Sequence, residues 1–249
     1  MTAGLRAGTG WLPYGSVPSG RPRLFCIPNA GGAASTFAPW RGLATAGVEV
    51  CPIQLPGRAE RFAEAPHERA TVLVDALLAA IGHEFTGRYV LFGHSMGAAL
   101  AYELARRFAV TGTPPVHLVV SGRSAPHLAD VCRPLRDLPL DELIAELRTI
   151  GGTPEAILRE RELRDRLQVL LRADFSVNET YRCPAGEPLD VPLTVLGGDS
   201  DPRAPVASLH AWEALTTGAF DVRVYPGGHF FLQDRPAELV RLMCRLAAG

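Results

Sequence analysis

The sequence predicts an α/β protein with a mostly parallel central sheet flanked by helices. Short apolar runs alternate along the chain with longer segments of helical periodicity, and the runs are apolar throughout. Such alternation is typical of βαβ units, and strands covered on both faces of a sheet read as continuous apolar runs. A chain of 249 residues is also long enough to build one large domain of this class.

The apolar runs and periodic segments give a first assignment of elements. Strands are predicted at 24–28, 48–55, 89–92, 118–121, 193–196 and 221–225. Helices are predicted at 37–43, 68–81, 98–108, 205–215 and 236–246. Each predicted strand except the fourth is followed by a helix after a short interval, so parallel pairing is expected.

The interval between Ser121 and Leu193 is much longer than a βαβ unit of about 30 residues requires. Two apolar stripes at helical spacing lie within it: Leu143, Ile144, Leu147 and Ile150, then Leu163, Leu167, Leu170 and Leu171. Thr153 before Pro154 suits an N-cap and a first helical position. We therefore expect one domain, 1–249, with an inserted helical lid at about 124–186. Ordinary packing helices are the alternative.

Composition excludes several classes of function. The formal net charge is -1, so no strong field attracts nucleic acid or an anionic membrane. No run approaches the roughly 18 apolar residues that span a bilayer, and the first residues lack the pattern of a signal peptide. The 5 cysteines are scattered without a CxxC pair, which argues against a disulfide framework or a zinc site and favours the cytoplasm.

The stretch 93–97 reads Gly-His-Ser-Met-Gly and matches the GxSxG pattern. An apolar strand precedes it and a helical segment follows, which is the context of a nucleophile elbow. Gly93 and Gly97 would let the neighbouring strand and helix approach closely. The pattern therefore predicts an α/β-hydrolase fold with Ser95 as its nucleophile; a mere strand–helix turn is the alternative.

A serine nucleophile needs a histidine base and an orienting acid, which follow it in this fold in the order acid, then histidine. His229 lies in a glycine-rich loop after the last predicted strand and is the expected base. The acid is expected after the fifth strand, where Asp199 and Asp201 are both candidates. The residue pattern alone favours neither aspartate.

The oxyanion hole should consist of two backbone amides. One is expected from Met96, directly after the nucleophile. The other is expected from the loop after the first strand, residues 28–34, where glycines permit a close approach and Ala30 is a reasonable donor.

Short motifs along most of the chain resemble one family, the type II thioesterases of polyketide and nonribosomal peptide synthesis. They lie at 27–32, 54–58, 92–97, 121–126, 151–154, 171–175, 197–202 and 228–232. The resemblance implies that Asp201, directly before a proline, is the catalytic acid, and that Ala30 and Met96 supply the oxyanion hole. The position of Ile27, where the family more often has Phe, is the departure we note, and it lies outside the catalytic residues.

The resemblance also implies an editing role: hydrolysis of unwanted or stalled acyl groups from the phosphopantetheine arm of acyl or peptidyl carrier proteins. The partners would be carrier domains of a synthase, and no cofactor or metal would be needed beyond the phosphopantetheine on the substrate. We expect a monomer without nucleic-acid or membrane partners, and a mobile lid that selects acyl groups.

Three other functions use the same residues or the same fold. A general carboxylesterase or lipase would act on oxygen esters. An acyltransferase or cyclase would transfer the acyl group to an alcohol or amine in place of water, and a chain-releasing thioesterase would release the finished chain rather than edit. A non-catalytic docking protein would keep only the fold, which the intact set of Ser, Asp and His disfavours.

Overall fold

The computed structural model describes residues 10–15, 20–128, 132–184 and 186–249. Within these residues the strands form one six-stranded sheet in the order β2-β1-β3-β4-β5-β6. The strands are β1 Arg23–Ile27, β2 Glu49–Pro52, β3 Tyr89–His94, β4 His117–Ser121, β5 Leu193–Gly198 and β6 Phe220–Tyr225. All neighbouring pairs are parallel, which confirms the predicted fold class.

Both faces of the sheet are covered. Phe25 and Ile27 of β1 belong to one hydrophobic cluster, whereas Leu24 and Cys26 belong to another on the opposite face. This division follows from the strand geometry, because successive side chains point to opposite faces. It explains why the strands read as unbroken apolar runs.

The helices cover these two faces and form the long insertion. They are α1 Trp40–Leu43, α2 Ala70–Ile81, α3 Met96–Val110, α4 Leu140–Ile150, α5 Glu155–Arg159, α6 Arg161–Thr180, α7 Val206–Leu209 and α8 Pro236–Ala248. Helices α2 and α3 pack on the face of Phe25, and α1 and α8 on the face of Leu24. None of the described helices is both long and apolar enough to cross a bilayer.

The last strand departs from the expected continuous burial. Strand β6 lies at the edge of the sheet, and its side chains alternate between partly buried and exposed positions. Its charged residues Asp221 and Arg223 form an ion pair of 2.7 Å on the exposed side. Charged side chains on an edge strand discourage pairing with another chain.

Two of the predicted helices are divided, and one predicted N-cap is wrong. The predicted helix 37–43 is divided into a 3₁₀ turn, Ala34–Phe37, and α1, and the predicted helix 205–215 into α7 and a 3₁₀ segment, His210–Leu215. Helix α5 begins at Glu155 with Pro154 as its N-cap, so Thr153 is not the cap. Pro154 has an extended ψ of 133°, which excludes it from the helix.

The insertion contains α4, α5 and α6, and its predicted residues 129–131 and 185 lie outside the described part of the chain. Leu143, Leu147, Leu158 and Leu171 belong to a separate hydrophobic cluster there. Leu163 was expected on the buried stripe but is 49% exposed, since the first turns of α6 extend beyond that cluster.

The far end of α6 is anchored in the body of the protein. Val177 and Tyr181 join the main core cluster, and the Tyr181 hydroxyl donates to Glu103 of α3 at 2.9 Å. The insertion is therefore continuous with the main core at one end and forms its own small core at the other.

Candidate active site

Ser95 lies at the sharp turn between β3 and α3. Its φ is 55° and its ψ is -116°, a conformation that a non-glycine residue rarely adopts and that marks functional sites. The turn is tight: a Cβ on Gly93 would lie 2.0 Å from the Gly97 carbonyl oxygen. Only glycine fits at this position. The same tight turn therefore requires the glycine of the sequence pattern and strains the backbone of Ser95.

His229 and Asp201 are brought together at the ends of β6 and β5. His229 Nδ1 lies 2.8 Å from Asp201 Oδ2, and both residues are buried. The other carboxylate oxygen, Oδ1, accepts the backbone N–H groups of Arg203 and Ala204 at 2.8 and 3.3 Å. These bonds fix the carboxylate, which in turn fixes the orientation of the imidazole ring.

Asp199 is engaged elsewhere. Its Oδ1 accepts the Gly227 N–H at 3.0 Å and the Ser200 hydroxyl at 2.8 Å. The hydrogen bond from Gly227, followed by that from Ser200, lowers the pKa of Asp199. Asp199 therefore braces the loop that carries His229, while Asp201 contacts the ring itself.

The two loops expected to supply oxyanion donors are in direct contact. A Cβ on Gly97 would lie 2.2 Å from the Ile27 carbonyl oxygen. The first turn of α3, with the Met96 amide, is thereby pressed against the chain that leads from β1 to Ala30. Ala30 and Ser95 both line the cavity, whereas Met96 is buried and is not a lining residue.

Ser95 and His229 line the same cavity. Among the described residues, no hydrogen bond joins the Ser95 hydroxyl to the His229 ring. Such bonds are often long in enzymes without substrate and tighten when substrate binds.

A second histidine, His94, lies behind the first. The rings of His94 and His229 have centroids 5.0 Å apart, and His94 Nδ1 is 3.0 Å from Ser121 Oγ. Burial, with the nearby His229, holds the pKa of His94 well below its ordinary value. His94 is therefore neutral and adds no positive charge beside the candidate base.

The His229 ring is also bounded by Phe230, whose centroid lies 5.2 Å away in an edge-to-face arrangement. Phe230 fits against Gly152, between α4 and α5, where a Cβ would meet its ring at 2.3 Å. Gly152 has a φ of +81°, which favours glycine. The insertion thus contacts the loop of His229 through a close glycine–phenylalanine pair.

The cavity has a volume of about 450 Å³, within the range of small-molecule sites. We call its strand-end side the floor, which comprises Ala30, Ser95, Gly122, His229 and Phe230. We call its insertion side the roof, which comprises Leu147, Ile150, Ile157, Leu167, Leu171 and Phe175. The floor holds the polar side chains of Ser95 and His229, and the roof residues are apolar, so the cavity suits an acyl chain above a reactive carbonyl.

The other histidines lie apart from this cavity. His117 Nε2 is 2.9 Å from the Thr194 hydroxyl on the neighbouring strand, and burial lowers the pKa of His117 to about 4. In the described part of the chain, no group of histidine, cysteine or acidic side chains could hold a metal ion.

We call the loop at 28–34, which was expected to supply an oxyanion donor, the oxyanion loop. No role was predicted from the sequence for three buried polar residues around it: Gln54, Arg58 and Asp174. Asp174 is 1% exposed and forms two hydrogen bonds with the Arg58 guanidinium, at 2.7 and 2.8 Å. A signal was present, because Asp174 falls between Leu171 and Phe175 on an apolar helix face. An ionised carboxylate in such a place requires a partner.

Comparisons with known proteins identify the family of the chain. The thioesterase domain family matches residues 22–245. The gramicidin S biosynthesis protein GrsT of Aneurinibacillus migulanus is 40% identical over 237 residues, which cover 94% of this chain and 93% of that protein.

Two solved structures are also similar. RedJ, a thioesterase from the prodiginine biosynthetic pathway of Streptomyces coelicolor, is 39% identical with a TM-score of 0.81, covering 93% of this chain and 89% of that one. The type II thioesterase BorB from the borrelidin biosynthetic cluster is 34% identical with a TM-score of 0.87, covering 96% and 98%. The chain therefore belongs to the thioesterase family and is a serine hydrolase of thioesters with the α/β-hydrolase fold.

Proposed function

We propose that the protein is an editing thioesterase that removes aberrant or stalled acyl groups from the phosphopantetheine arm of acyl or peptidyl carrier proteins. The observation that supports it most is the cavity itself, which sets a strained serine and a buried His–Asp pair beneath an apolar roof. Its relatives include thioesterases of prodiginine and borrelidin biosynthesis, which supports a role in such a pathway.

In the first half of the proposed reaction, the Ser95 hydroxyl attacks the thioester carbonyl. His229 Nε2 takes the serine proton, and Asp201 stabilises the imidazolium that forms. The backbone amides of Ala30 and Met96 bind the oxyanion of the tetrahedral intermediate. The C–S bond then breaks, and the pantetheine sulfur leaves with the proton from His229.

In the second half, water replaces the thiol. His229 removes a proton from that water as it attacks the acyl carbonyl of the Ser95 ester, and the same two amides bind the new oxyanion. The ester bond breaks, Ser95 recovers its proton from His229, and the free carboxylic acid departs. The atoms balance with water as the only co-substrate, so no resident cofactor enters the scheme.

We further propose that the insertion acts as a lid. Its roof residues are apolar, and its Gly152 lies against Phe230, the residue that follows His229. A lid of this kind would select acyl groups by size and exclude bulk water during the reaction.

The proposed partner is a carrier domain. We propose that the protein acts as a monomer and that it does so in the cytoplasm. One chain supplies the floor and the roof of the cavity, and scattered thiols favour a reducing compartment. The substrate brings its own phosphopantetheine arm, which has to reach Ser95 through the cavity.

The test is release of acyl groups from a loaded carrier protein. Carrier proteins bearing acetyl, propionyl and longer acyl groups would be incubated with wild type, Ser95→Ala and Ser35→Ala, and followed by intact-mass spectrometry. Ser35 also lines the cavity but lies outside the elbow, so Ser35→Ala is the matched control. We expect Ser95→Ala to lose on the order of 10⁶ in kcat and Ser35→Ala to retain activity.

Substrate identity decides between the proposal and its rivals. Hydrolysis of simple esters without action on any carrier-bound thioester would refute the editing role and leave a carboxylesterase. Transfer of the acyl group to an added alcohol or amine in preference to water would indicate an acyltransferase.

A further inference from the structure

The loop that carries Ala30 is held by a buried ion pair whose partners lie far apart in the sequence. Arg58 follows β2, Asp174 lies in α6 of the insertion, and the two are separated by 116 positions. Their side chains are 5% and 1% exposed. The pairing is bidentate: the two terminal guanidinium nitrogens, Nη1 and Nη2, donate to the two carboxylate oxygens.

Both partners also bind the backbone of the oxyanion loop. Asp174 Oδ2 accepts the Gly31 N–H at 2.7 Å, and Arg58 Nη1 donates to the Gly32 carbonyl at 3.2 Å. The ion pair therefore holds the peptide groups directly after Ala30 from both sides. Hydrogen bonds to ionised groups are stronger than neutral ones, so the backbone of the loop is firmly fixed at Gly31 and Gly32.

Two further amides of the loop have acceptors within the protein. The Gly32 N–H donates to the Asn29 carbonyl at 2.9 Å, and the Ala34 N–H donates to Gln54 Oε1 at 3.0 Å. Gln54 Nε2 in turn donates to the Arg58 carbonyl at 3.3 Å. The amides of Gly31, Gly32 and Ala34 are thus occupied. Among the described residues of the loop, the amides of Asn29, Ala30 and Ala33 have no acceptor, and Ala30 is the one that the family resemblance implies as the oxyanion donor.

We propose that Arg58 and Asp174 are positioning residues that set the direction of the Ala30 amide and so stabilise the transition state. This inference rests on the proposed function, because it assigns the oxyanion donor of that reaction. It also means that the insertion contributes to catalysis: the roof helix α6 carries the carboxylate that orients part of the floor.

A second buried ion pair in the same protein serves as a matched control. Arg23 Nη1 lies 3.3 Å from Glu84 Oε2, with side chains 9% and 10% exposed. Arg23 begins β1, at the end of that strand remote from Ala30. Loss of this pair should affect stability without changing the geometry of the oxyanion loop.

The experiment compares Asp174→Asn, Arg58→Lys and Glu84→Gln with wild type. Asparagine keeps the size of Asp174 but loses its negative charge, and its NH₂ group cannot accept the hydrogen bond that Arg58 Nη2 donates to Asp174 Oδ1. Lysine keeps the charge of Arg58 but cannot form two parallel hydrogen bonds with the carboxylate. We expect kcat for an acyl carrier substrate to fall about 10²-fold in the first two variants, with KM and the pH dependence unchanged. Glu84→Gln should keep the wild-type kcat at a lower melting temperature.

A double variant, Arg58→Met with Asp174→Leu, separates positioning from stability. Apolar replacement of a buried ion pair often preserves stability, yet it removes both contacts to the loop. We expect a folded protein whose kcat is as low as that of Asp174→Asn. Wild-type kcat in this double variant, or a loss in Asp174→Asn that merely follows the folded fraction, would overturn the proposal.

The reaction of Ser95 with a fluorophosphonate probe keeps this test independent of the natural substrate. Phosphonylation also develops negative charge on an oxygen in the oxyanion hole, so the labelling rate should fall in Asp174→Asn but not in Glu84→Gln. If wild type reacts with the probe but releases no carrier-bound acyl group, the editing role fails while the positioning role stands. Equal labelling rates in wild type and Asp174→Asn would refute the positioning role alone.

Discussion

The floor of the cavity is carried by the ends of parallel strands, whereas its roof is carried by helices of the insertion. On the floor, Ser95 follows β3 and His229 follows β6, and Asp201, which follows β5, supports His229 from below; each is fixed by backbone contacts or a buried hydrogen bond. In the roof, side chains such as Leu147 and Leu167 meet one another through apolar contacts alone.

This difference in construction suggests a division of labour. Directional bonds at strand ends hold reacting groups to a fraction of an ångström, which bond making requires. Apolar packing between helices accepts changes in size at a modest cost, which acyl selection requires. Floor substitutions should therefore lower the rate for every substrate, and roof substitutions should change the preference among substrates.

The largest effect is expected at Asp201. Asp201→Asn keeps the shape of the side chain but removes the charge that orients His229 and stabilises its protonated form, so kcat should fall about 10⁴-fold for all acyl lengths. Asp199→Asn is the control, because Asp199 contacts Gly227 and Ser200 and not the ring. Steady-state kinetics of both variants on acetyl and hexanoyl substrates would measure this. A larger loss in Asp199→Asn would reverse the assignment of the acid.

The next effect is expected where roof and floor touch. Gly152→Ala would place a Cβ 2.3 Å from the Phe230 ring and displace it against His229. A misplacement of about 1 Å can cost about 10²-fold in rate, so kcat should fall for every substrate.

The double variant Gly152→Ala with Phe230→Leu provides the control for this contact, because leucine vacates the space that the new Cβ needs. Recovery of most of the lost kcat would show that Gly152→Ala lowers kcat by displacing the Phe230 ring. Failure to recover would assign the loss to backbone strain at Gly152, whose φ is +81°.

A smaller effect, on selectivity, is expected within the roof. Leu167→Phe reduces the space above Ser95, so kcat/KM for a hexanoyl substrate should fall about 10-fold relative to acetyl. Leu163→Phe is the matched control on the same helix, since Leu163 is 49% exposed and outside the cavity. Competition between the two acyl carriers, followed by mass spectrometry, gives the ratio directly. An equal loss of kcat/KM for both acyl lengths would mean that Leu167 affects catalysis rather than selectivity, which would contradict the division of labour between floor and roof.

The smallest effect concerns stability against acid. Burial lowers the pKa of His117, in β4, to about 4 and holds that of His94 well below its ordinary value, whereas both titrate near 6.5 in an unfolded chain. As the pH falls from about 6.5 toward about 4, the unfolded state takes up protons that the folded state refuses, so the free energy of unfolding decreases.

A carboxylate of the insertion affects the free energy of unfolding with the opposite sign. Burial of Glu179 in α6 raises its pKa, so proton uptake at this carboxylate favours the folded state. Urea denaturation at about pH 7.5 and about pH 5 would measure the net change, which should be a loss. His117→Gln retains a hydrogen-bonding group opposite Thr194 and should lose less stability than wild type over this interval. An equal loss would show that His117 does not contribute.

The sequence predicted the parts of this protein that depend on neighbours along the chain. The elbow could be predicted because Gly93, Ser95 and Gly97 create its geometry within five positions, and the parallel sheet because each strand carries its own apolar run. The choice between Asp199 and Asp201 needed a resemblance, since both follow the same strand and only their three-dimensional contacts differ.

Features that depend on distant partners could not be predicted in this way. The stripe that begins at Leu163 correctly indicated an apolar face on α6, but not that its first turn would extend past the cluster it was expected to join. The role of Asp174 depends on Arg58 and Gly31, which lie 116 and 143 positions earlier. Periodicity reports which face of a helix is buried, and it carries no information about the group that the face will meet.

The separation between Gly31 and Asp174 has a consequence during synthesis of the chain. A ribosome-bound fragment that ends after α3 already contains the elbow, but the carboxylate that anchors its oxyanion loop has yet to be translated, and His229 follows later still. On the proposed mechanism, such a fragment holds a serine without base or anchored donor, and we expect it to be inert toward thioesters. We expect hydrolysis to begin only after His229 has been translated, so the onset of activity during translation would report the addition of the last strand and the loop that follows it.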